Sequence, residues 1–421
     1  MKRTGSVAIA AVLAAATVLA LPAGAANDQQ DTWHARQAQI PQAQAAGRDG
    51  AGVLVAVLDS WVDRDHPDFG GRVLAGADCA GGSCRPGPAS SDQCDHGTHV
   101  SGTVASSSFG VAPRARVLPV RVLTYDPASG ECTGEPADVA AGIRWAVAQG
   151  AQVLNLSLGP DVHGLSSSTT IAAAVTEAAA AGAVVIFSAG NANVPVADEY
   201  GSSALIVAAT GPSGALASYS QRGTGVDLAA PGGDPRTPGV CTREECVTSL
   251  YPGGRYSVAA GTSMAAPHVS GIAALLLAQE PSRTRQQVID RLLSTASPLA
   301  GAGSGLVNAR AALGIPAVPA ARAGNPPRPV TIAPAAPAPP TSSPGRSPRP
   351  TPTTSASPAA TTTPAPAVVV PAVVALPAQQ PVVRSQQADP PAPVPTPLAG
   401  LAAALALVVG GGAAYARRVG R

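Results

Sequence analysis

The chain has 421 residues and a formal net charge of +2, with 27 Lys and Arg against 25 Asp and Glu. This near-neutral balance argues against a nucleic-acid-binding protein, which would present a strongly basic face. Its 43 prolines cluster late in the chain, which indicates a segment that lacks a packed core beside a folded part.

The first 25 residues are predicted as a secretory signal peptide. Two basic residues, Lys2 and Arg3, precede an apolar run over 7–21, and the small residues PAGAAN follow. A basic start, an apolar centre and a small-residue cleavage site are typical of exported proteins. An uncleaved membrane anchor is the alternative interpretation.

Residues 26–50 are predicted as an N-terminal extension and residues 51–316 as one folded domain. Near-continuous runs of Val, Ile and Leu predict buried strands at 52–59, 116–123, 151–158, 183–190 and 204–209. Helical spacing that ends in glycine predicts helices over 136–150 and 168–182. Buried strands that alternate with helices indicate a three-layer α/β/α fold with a mainly parallel central sheet.

Polar residues stand at the boundaries of these elements. Asp59 ends the first predicted strand, and Asn191 follows the fourth. His96 begins a helix-like stretch, and Ser263 precedes the apolar segment 265–277. Active sites of open α/β sheets gather at the carboxyl ends of strands. Asp, His and Ser at such positions are the parts of a nucleophilic triad, which is identified by its roles and not by its spacing.

The helix that begins near Ser263 suits a nucleophile. Its macrodipole favours negative charge at the N-terminus, and the unpaired N–H groups of the first turn can donate to an oxyanion. Pro267 is expected to cost little, because a first-turn residue has no intrahelical partner for its N–H.

The domain contains six cysteines, and an even number in an exported domain predicts disulfides. The preferred pairing joins neighbours along the chain, as Cys79–Cys84, Cys94–Cys132 and Cys241–Cys246. For the first four cysteines, two other arrangements remain open. A zinc site is the rival hypothesis, but neither a Cys-x-x-Cys motif nor zinc-finger spacing occurs.

Five motifs between residues 55 and 277 stand in the order found in subtilisin-like serine peptidases: VAVLDSWVDRDHPDF, HGTHVSGTVAS, VLNLSLG, SAGN and GTSMAAPHVSGIAALLL. The chain resembles this family, the subtilases. The resemblance implies that Asp59 orients His96, the general base, and that Ser263 is the nucleophile of peptide-bond hydrolysis through an acyl-enzyme. It also implies that Asn191 and the Ser263 backbone N–H bind the oxyanion.

The resemblance also implies the residues that contact a protein or peptide substrate. The strand edge that pairs with the substrate is Ser157, Leu158 and Gly159, and the opposite wall of the specificity pocket is Ser188, Ala189 and Gly190. These small walls permit large apolar side chains without requiring them.

The family needs no cofactor for catalysis, and it often binds structural calcium. Asp63, Asp65 and Asp68 would bind calcium or be solvated, and solvation is favoured. His96 and His99 lie three residues apart, but no acidic residue has metalloprotease spacing. We therefore expect His99, like His268, to be a packed helix residue.

Two features depart from the family. Trp61 stands where the family usually has glycine, and its ring is expected to narrow the primed side of the cleft or to disturb the backbone beside the triad. The region before Asp59 has no room for a folded prodomain. We expect this short extension to wrap against the catalytic domain.

The remaining segments are predicted as a Pro/Ala/Thr/Ser-rich linker (317–397), a transmembrane helix (398–416) and a basic cytoplasmic tail (417–421). A removed sorting or anchoring tail is the alternative for 398–416. The layout is similar to that of the mycosins, which are membrane-anchored subtilases of actinobacterial type VII secretion systems.

The sequence therefore predicts an extracellular, membrane-tethered serine endopeptidase of an actinobacterium that processes surface or secreted proteins, with a secretion-system complex as a partner. One alternative is a structural or binding subunit of a surface assembly with reduced protease activity. Another is a degradative protease that is released by cleavage of the linker.

Overall fold

A computed structural model of the chain describes residues 9–11, 32–91, 93–128, 131–158 and 168–317. The helices are α1 (Trp33–Gln37), α2 (Ile40–Ala45), α3 (His96–Ala105), α4 (Pro136–Ala148), α5 (Thr169–Ala180), α6 (Thr262–Gln279), α7 (Arg285–Ser294) and α8 (Ala309–Ala312). The strands are β1 (Ile9–Ala11), β2 (Leu54–Asp59), β3 (Ala77–Asp78), β4 (Arg85–Pro86), β5 (Arg116–Arg121), β6 (Thr124–Asp126), β7 (Glu131–Gly134), β8 (Val153–Leu156), β9 (Val184–Ser188), β10 (Leu205–Thr210), β11 (Leu228–Pro231), β12 (Val247–Tyr251) and β13 (Arg255–Ala259). Two short 3₁₀ turns cover Pro67–Phe69 and Gly201–Ser203.

The central sheet has eight strands in the order β11-β10-β9-β8-β2-β5-β3-β4. Every neighbouring pair is parallel except β3 with β4, which is antiparallel at one edge. All five predicted strands are in this sheet, so the expectation of a mainly parallel sheet is confirmed. The strand β2, which carries Asp59 at its carboxyl end, lies between β5 and β8 near the middle.

Helices cover both faces of the sheet. Alternate residues of β2 point to opposite sides, so that Val55 and Val57 pack with α3 and α6, while Ala56 and Leu58 pack with α4 and α5. Strands that are buried on both faces need apolar residues at every position. This requirement explains why their sequences are continuous runs of Val, Ala, Leu and Ile.

Two smaller antiparallel sheets lie outside the predicted pattern. One contains β1, β7 and β6, and the other is the hairpin of β12 and β13. The hairpin packs against α3, and the Ser249 hydroxyl donates a hydrogen bond of 2.8 Å to the carbonyl of His99. The hairpin therefore supports the helix that begins at His96.

The segment before β2 packs against the domain from Thr32 onward. The Trp33 indole donates to the Cys246 carbonyl at 3.0 Å, and the Gln37 amide donates to the Gly211 carbonyl at 2.9 Å. Buried alanines and Ile40 of this segment join the same apolar cluster as α6. These contacts tie the N-terminal extension to elements formed by the second half of the domain.

Three disulfides are present, and they pair Cys79 with Cys84, Cys94 with Cys132, and Cys241 with Cys246. This is the pairing that the sequence analysis prefers. The first and third bridges each close a separation of 5 residues, whereas the Cys94–Cys132 bridge spans 38. The long bridge joins β7 to the turn that precedes His96.

Several predicted segments lie outside the described residues: the signal peptide apart from 9–11, Gly159, nearly all of the linker, the span 398–416 and the basic tail. Among the helices that the structure describes, none has the length and apolar character needed to cross a membrane.

Candidate active site

Asp59 and His96 form a buried hydrogen-bonded pair at the carboxyl edge of the sheet. Asp59 is fully buried, and its Oδ1 lies 2.8 Å from His96 Nδ1. A carboxylate only accepts hydrogen bonds, so Nδ1 carries the proton, and Nε2 of a neutral ring is then free to accept one. The pair thus sets the tautomer that a general base needs.

Ser60 fastens this pair to the first turn of α3. Its backbone N–H donates to Asp59 Oδ1 at 2.7 Å, and its hydroxyl accepts from the Gly97 N–H at 2.9 Å. The same hydroxyl donates to the Cys94 carbonyl at 2.7 Å. Gly97 is required by this close approach, because a Cβ there would lie 2.8 Å from the Ser60 carbonyl oxygen.

Ser263 is the second residue of α6, at the carboxyl edge of the sheet, and its residue is only 8% exposed. Its hydroxyl donates to the backbone carbonyl of Ser157 at 3.1 Å. Within the part of the chain that the structure describes, no hydrogen bond joins this hydroxyl to His96. Catalytic hydrogen bonds often form fully only when substrate binds, so attack requires the hydroxyl to turn from Ser157 to His96.

The expected position of Pro267 in the first turn of this helix is wrong. Because α6 begins at Thr262, Pro267 is its sixth residue. The backbone carbonyl four residues earlier, which an N–H at this position would bond, belongs to Ser263. The proline therefore deprives the nucleophile's own carbonyl of its usual α-helical donor.

Asn191 is held against the start of α6 through its side-chain oxygen. Its Oδ1 accepts from the backbone N–H and from the hydroxyl of Thr262, both at 2.9 Å. The Thr262 hydroxyl also accepts from the Gly190 N–H at 3.0 Å. Gly190 has φ of +105°, and a Cβ there would lie 2.4 Å from Gln221 Oε1, so this turn requires glycine.

The predicted substrate-contacting residues lie on two neighbouring strands. Ser157 and Leu158 directly follow β8, while Ser188 ends β9 and Ala189 and Gly190 follow it. All five are buried, and β8 pairs with β9. Gly159, the third predicted residue of the first wall, is outside the described residues.

Trp61 is half-buried. The hydrogen bond between Asp59 and His96 is formed although this ring stands two residues after Asp59. Together with Arg64, Ala75 and Pro88, it lines a small surface cavity.

His99 and His268 are packed helix residues, as expected. Burial, helped by the nearby His96, lowers the pKa of His99 to about 3. Burial likewise lowers the pKa of His268 to about 4. The ring of His268 donates from Nδ1 to the Met264 carbonyl at 2.8 Å and lies 3.1 Å from Nδ1 of the buried His34.

The three aspartates after β2 do not form a metal site. Asp63 accepts a hydrogen bond from the Gly253 N–H at 2.8 Å, and Asp65 is exposed. In the described ranges, no group of three or more His, Cys, Asp or Glu side chains is placed to hold a metal ion. The described residues thus show no carboxylate cluster for the structural calcium that the resemblance allows.

The chain matches the Subtilase family over residues 50–317. It belongs to this family. Subtilisin Savinase from Lederbergia lenta is 38% identical over 296 residues, which cover 68% of this chain and 99% of the relative. The M-protease of Shouchella clausii is also 38% identical and is covered over 70% of its length.

Solved structures agree with this assignment. A protease from Pseudoalteromonas arctica superimposes on the chain with a TM-score of 0.59 at 32% identity, over 68% of this chain and 98% of that one. A cold-adapted subtilisin-like serine proteinase gives a TM-score of 0.52 at 34% identity, over 62% and 90% of the two chains. The chain is therefore a subtilisin-like serine endopeptidase.

Two residues of this site escape the sequence analysis. Thr262 orients Asn191, and Ser60 joins Asp59 to the start of α3. Both stand directly beside a predicted catalytic residue. A hydroxyl next to a nucleophile or next to an orienting carboxylate is the signal that could have found them.

Proposed function

We propose that this subtilase cleaves peptide bonds with Asp59, His96 and Ser263 as its triad. The hydrogen bond between Asp59 and His96 is the observation that carries the proposal, because it leaves Nε2 as the acceptor for the Ser263 proton. As Oγ attacks the carbonyl carbon, the proton moves to Nε2 and the imidazolium is stabilised by the buried carboxylate. The developing oxyanion accepts from the Asn191 amide and the Ser263 N–H.

The same groups complete the reaction. As the C–N bond of the substrate breaks, His96 gives its proton to the leaving amine, and the acyl group remains on Ser263. Water then gives a proton to Nε2 and attacks the acyl carbon. The bond from that carbon to Ser263 Oγ breaks, and His96 returns the proton to Oγ as the acid leaves. Each attack therefore uses Nε2 of His96 as the proton acceptor.

Labelling with a fluorophosphonate tests the triad directly. The full-length protein should react, whereas Ser263→Ala and His96→Ala should not. Ser101→Ala is the matched control, because Ser101 is a buried α3 serine whose hydroxyl has no hydrogen-bond partner among the described residues. Equal labelling of Ser263→Ala and wild type would overturn the assignment.

We further propose that the enzyme is tethered to the cell membrane with its catalytic domain outside, where it processes surface or secreted proteins beside a secretion complex. The support is the order of segments in the sequence: an export signal, a proline-rich linker, and an uncharged apolar run over 398–416 followed by Arg417, Arg418 and Arg421. Arginines after an apolar span favour the cytoplasmic side.

Fractionation of cells tests the tether. The full chain should remain with membranes after high-salt and carbonate washing and dissolve only in detergent. A variant that stops after residue 397 should appear in the medium with equal labelling. If the full chain is soluble at its intact mass, the tether is wrong; if only a shortened form is soluble, the released protease is the correct alternative.

Two observations favour a second candidate, a surface-assembly subunit with reduced activity. The Ser263 hydroxyl donates to Ser157 and not to His96, and Trp61 replaces the usual glycine. In that case, the wild-type protein should fold but label no faster than Ser263→Ala. Trp61→Gly should then restore labelling if the ring is the cause.

A further inference from the structure

We propose that Ser270, Asn155 and Ser157 form a buried relay that positions the nucleophile by replacing the backbone hydrogen bond that Pro267 removes. The inference rests on the proposed role of Ser263 in catalysis. It assigns these three residues as positioning residues, since none of their side chains is proposed to touch the reacting atoms.

The relay begins at the Ser263 carbonyl. In a regular helix this oxygen would accept from the N–H of residue 267, which proline lacks. The hydroxyl of Ser157, which directly follows β8, donates to it at 2.8 Å instead. An orphan carbonyl in the second residue of α6 thus gains a donor from the central sheet, which fixes the helix start against the strand.

The next residue fixes the direction of the Ser157 hydroxyl. Asn155 Nδ2 donates to Ser157 Oγ at 2.9 Å. A serine hydroxyl has one proton, so accepting from Asn155 leaves that proton for the Ser263 carbonyl. Asn155 therefore keeps Ser157 in the orientation that supports the nucleophile.

Ser270 fixes the orientation of Asn155 in turn. Its hydroxyl lies 2.8 Å from Asn155 Oδ1 and 3.1 Å from the Ala266 carbonyl. In the network as a whole, the side-chain oxygen of Asn155 accepts from Ser270 and its amide nitrogen faces Ser157. Ser270 is two helical turns beyond Ser263, so the relay leaves α6, passes through β8 and returns to α6.

Burial makes this relay necessary. Asn155, Ser157 and Ser270 are all 0% exposed. No solvent reaches them to replace a lost partner, and an unpaired buried polar group is costly. Removing one hydroxyl should therefore shift the backbone of Ser263 instead of admitting a substitute hydrogen bond.

Ser157 also contacts the reactive hydroxyl itself, since its carbonyl accepts from Ser263 Oγ at 3.1 Å. The two serines are thus hydrogen-bonded in both directions, side chain to backbone. A displaced Ser157 would change both the position of the Ser263 backbone and the starting orientation of its hydroxyl. The main expected effect is on the rate of attack.

Kinetics of the full-length protein test the relay. Ser157→Ala should lower kcat by about 10-fold or more, because a buried hydrogen bond is lost and its acceptor is left unpaired. KM should change little, since the backbone of residue 157 remains. Ser270→Ala should act in the same direction, and Ser270→Thr, which keeps the hydroxyl, should recover most of the activity. Ser101→Ala should match wild type.

A double-mutant cycle with Pro267→Ala separates positioning from simple destabilisation. Alanine restores the N–H that can bond the Ser263 carbonyl, so Ser157→Ala should cost several-fold less in kcat in this background than in wild type. Additive losses would overturn the relay, as would a normal kcat for Ser157→Ala. Urea unfolding of each variant should show that the cycle in kcat does not follow stability.

The wild-type reference keeps the two proposals distinguishable. If wild type neither labels nor turns over substrate, the proposed catalytic function fails and the cycle has no baseline. If wild type is active but Ser157→Ala and Ser270→Ala have the same kcat as the control Ser101→Ala, only the relay is wrong.

Discussion

Thr262 has a larger role than its small side chain suggests. Its backbone N–H and its hydroxyl both donate to the side-chain oxygen of Asn191, and these two bonds fix the orientation of the side-chain amide. An amide that rotates freely would present its oxygen to a developing oxyanion about as readily as its nitrogen. The residue beside the nucleophile thus prepares the oxyanion site before substrate arrives.

We therefore expect graded losses at this site. Asn191→Ala should reduce kcat at least 100-fold, because loss of one oxyanion donor costs about 2.7–4 kcal/mol of barrier. Thr262→Val should give a smaller loss, and Thr262→Ser should retain most activity because it keeps both donors. Steady-state kinetics on a peptide substrate measure this series. Equal values for Thr262→Val and wild type would contradict the orienting role.

At this scale, some of the site is readable from sequence and some is not. Asp59, His96 and Ser263 stand at element boundaries, which a pattern of strands and helices reveals. The effect of Pro267 is not readable, because it depends on the exact first residue of α6. The sequence analysis places the helix start near Ser263 and Pro267 in the first turn, whereas the helix begins at Thr262 and Pro267 is its sixth residue.

Among the elements, the Cys94–Cys132 bridge should stabilise the fold most. Stabilisation by loop closure grows with the length of the closed loop. Replacing both cysteines by alanine should cost about 4 kcal/mol, against about 2 kcal/mol for either short bridge, by the chain-entropy relation. Denaturant unfolding of the three double variants compares them. Equal losses would show that strain or local packing outweighs chain entropy.

The contact between α1 and α6 should make the domain sensitive to acid. His34 and His268 are buried, and burial holds the pKa of each below the ordinary value of 6.5, to about 4 for His268. The unfolded chain therefore binds more protons below pH 6.5. The contribution of the two neutral histidines to the free energy of unfolding should be fully present above pH 6.5 and should decrease as the pH falls toward 4.

His34→Gln tests this pH dependence, because glutamine can still donate to His268 but does not titrate. The free energy of unfolding should decrease less between pH 7 and pH 5 than it does in wild type. Gln44→Ala is the control: it removes hydrogen bonds from the same segment to Gly110 and Val111 without removing an imidazole. It should lower stability equally at both pH values. A slope unchanged by His34→Gln would refute the prediction.

Some secondary-structure elements are easier to predict from their sequences than others. The five central strands are predictable because burial on both faces requires uninterrupted apolar residues. The hairpin of β12 and β13 is not predicted, because Thr248, Ser249 and Ser257 interrupt its apolar residues. Helices α1 and α2 are too short to be stable alone, and their stability comes from packing against distant parts of the domain.

For the whole molecule, removal of residues 26–47 should cost much of the stability of the domain. It would uncover the apolar surface that Ile40 and the buried alanines of α1 and α2 now cover. Thermal unfolding of the full chain and of this deletion measures the loss. An unchanged unfolding midpoint would mean that the segment does not contribute to the stability of the domain.

The contacts of that segment also set an order of events during folding. Trp33 is hydrogen-bonded to Cys246, which lies 213 residues further along the chain, and His34 is hydrogen-bonded to His268, which lies 234 residues further. Such distant pairings close late and slow the folding of a chain. The first part of the domain to be synthesised must therefore wait, with its apolar side chains uncovered, until nearly the last part has emerged.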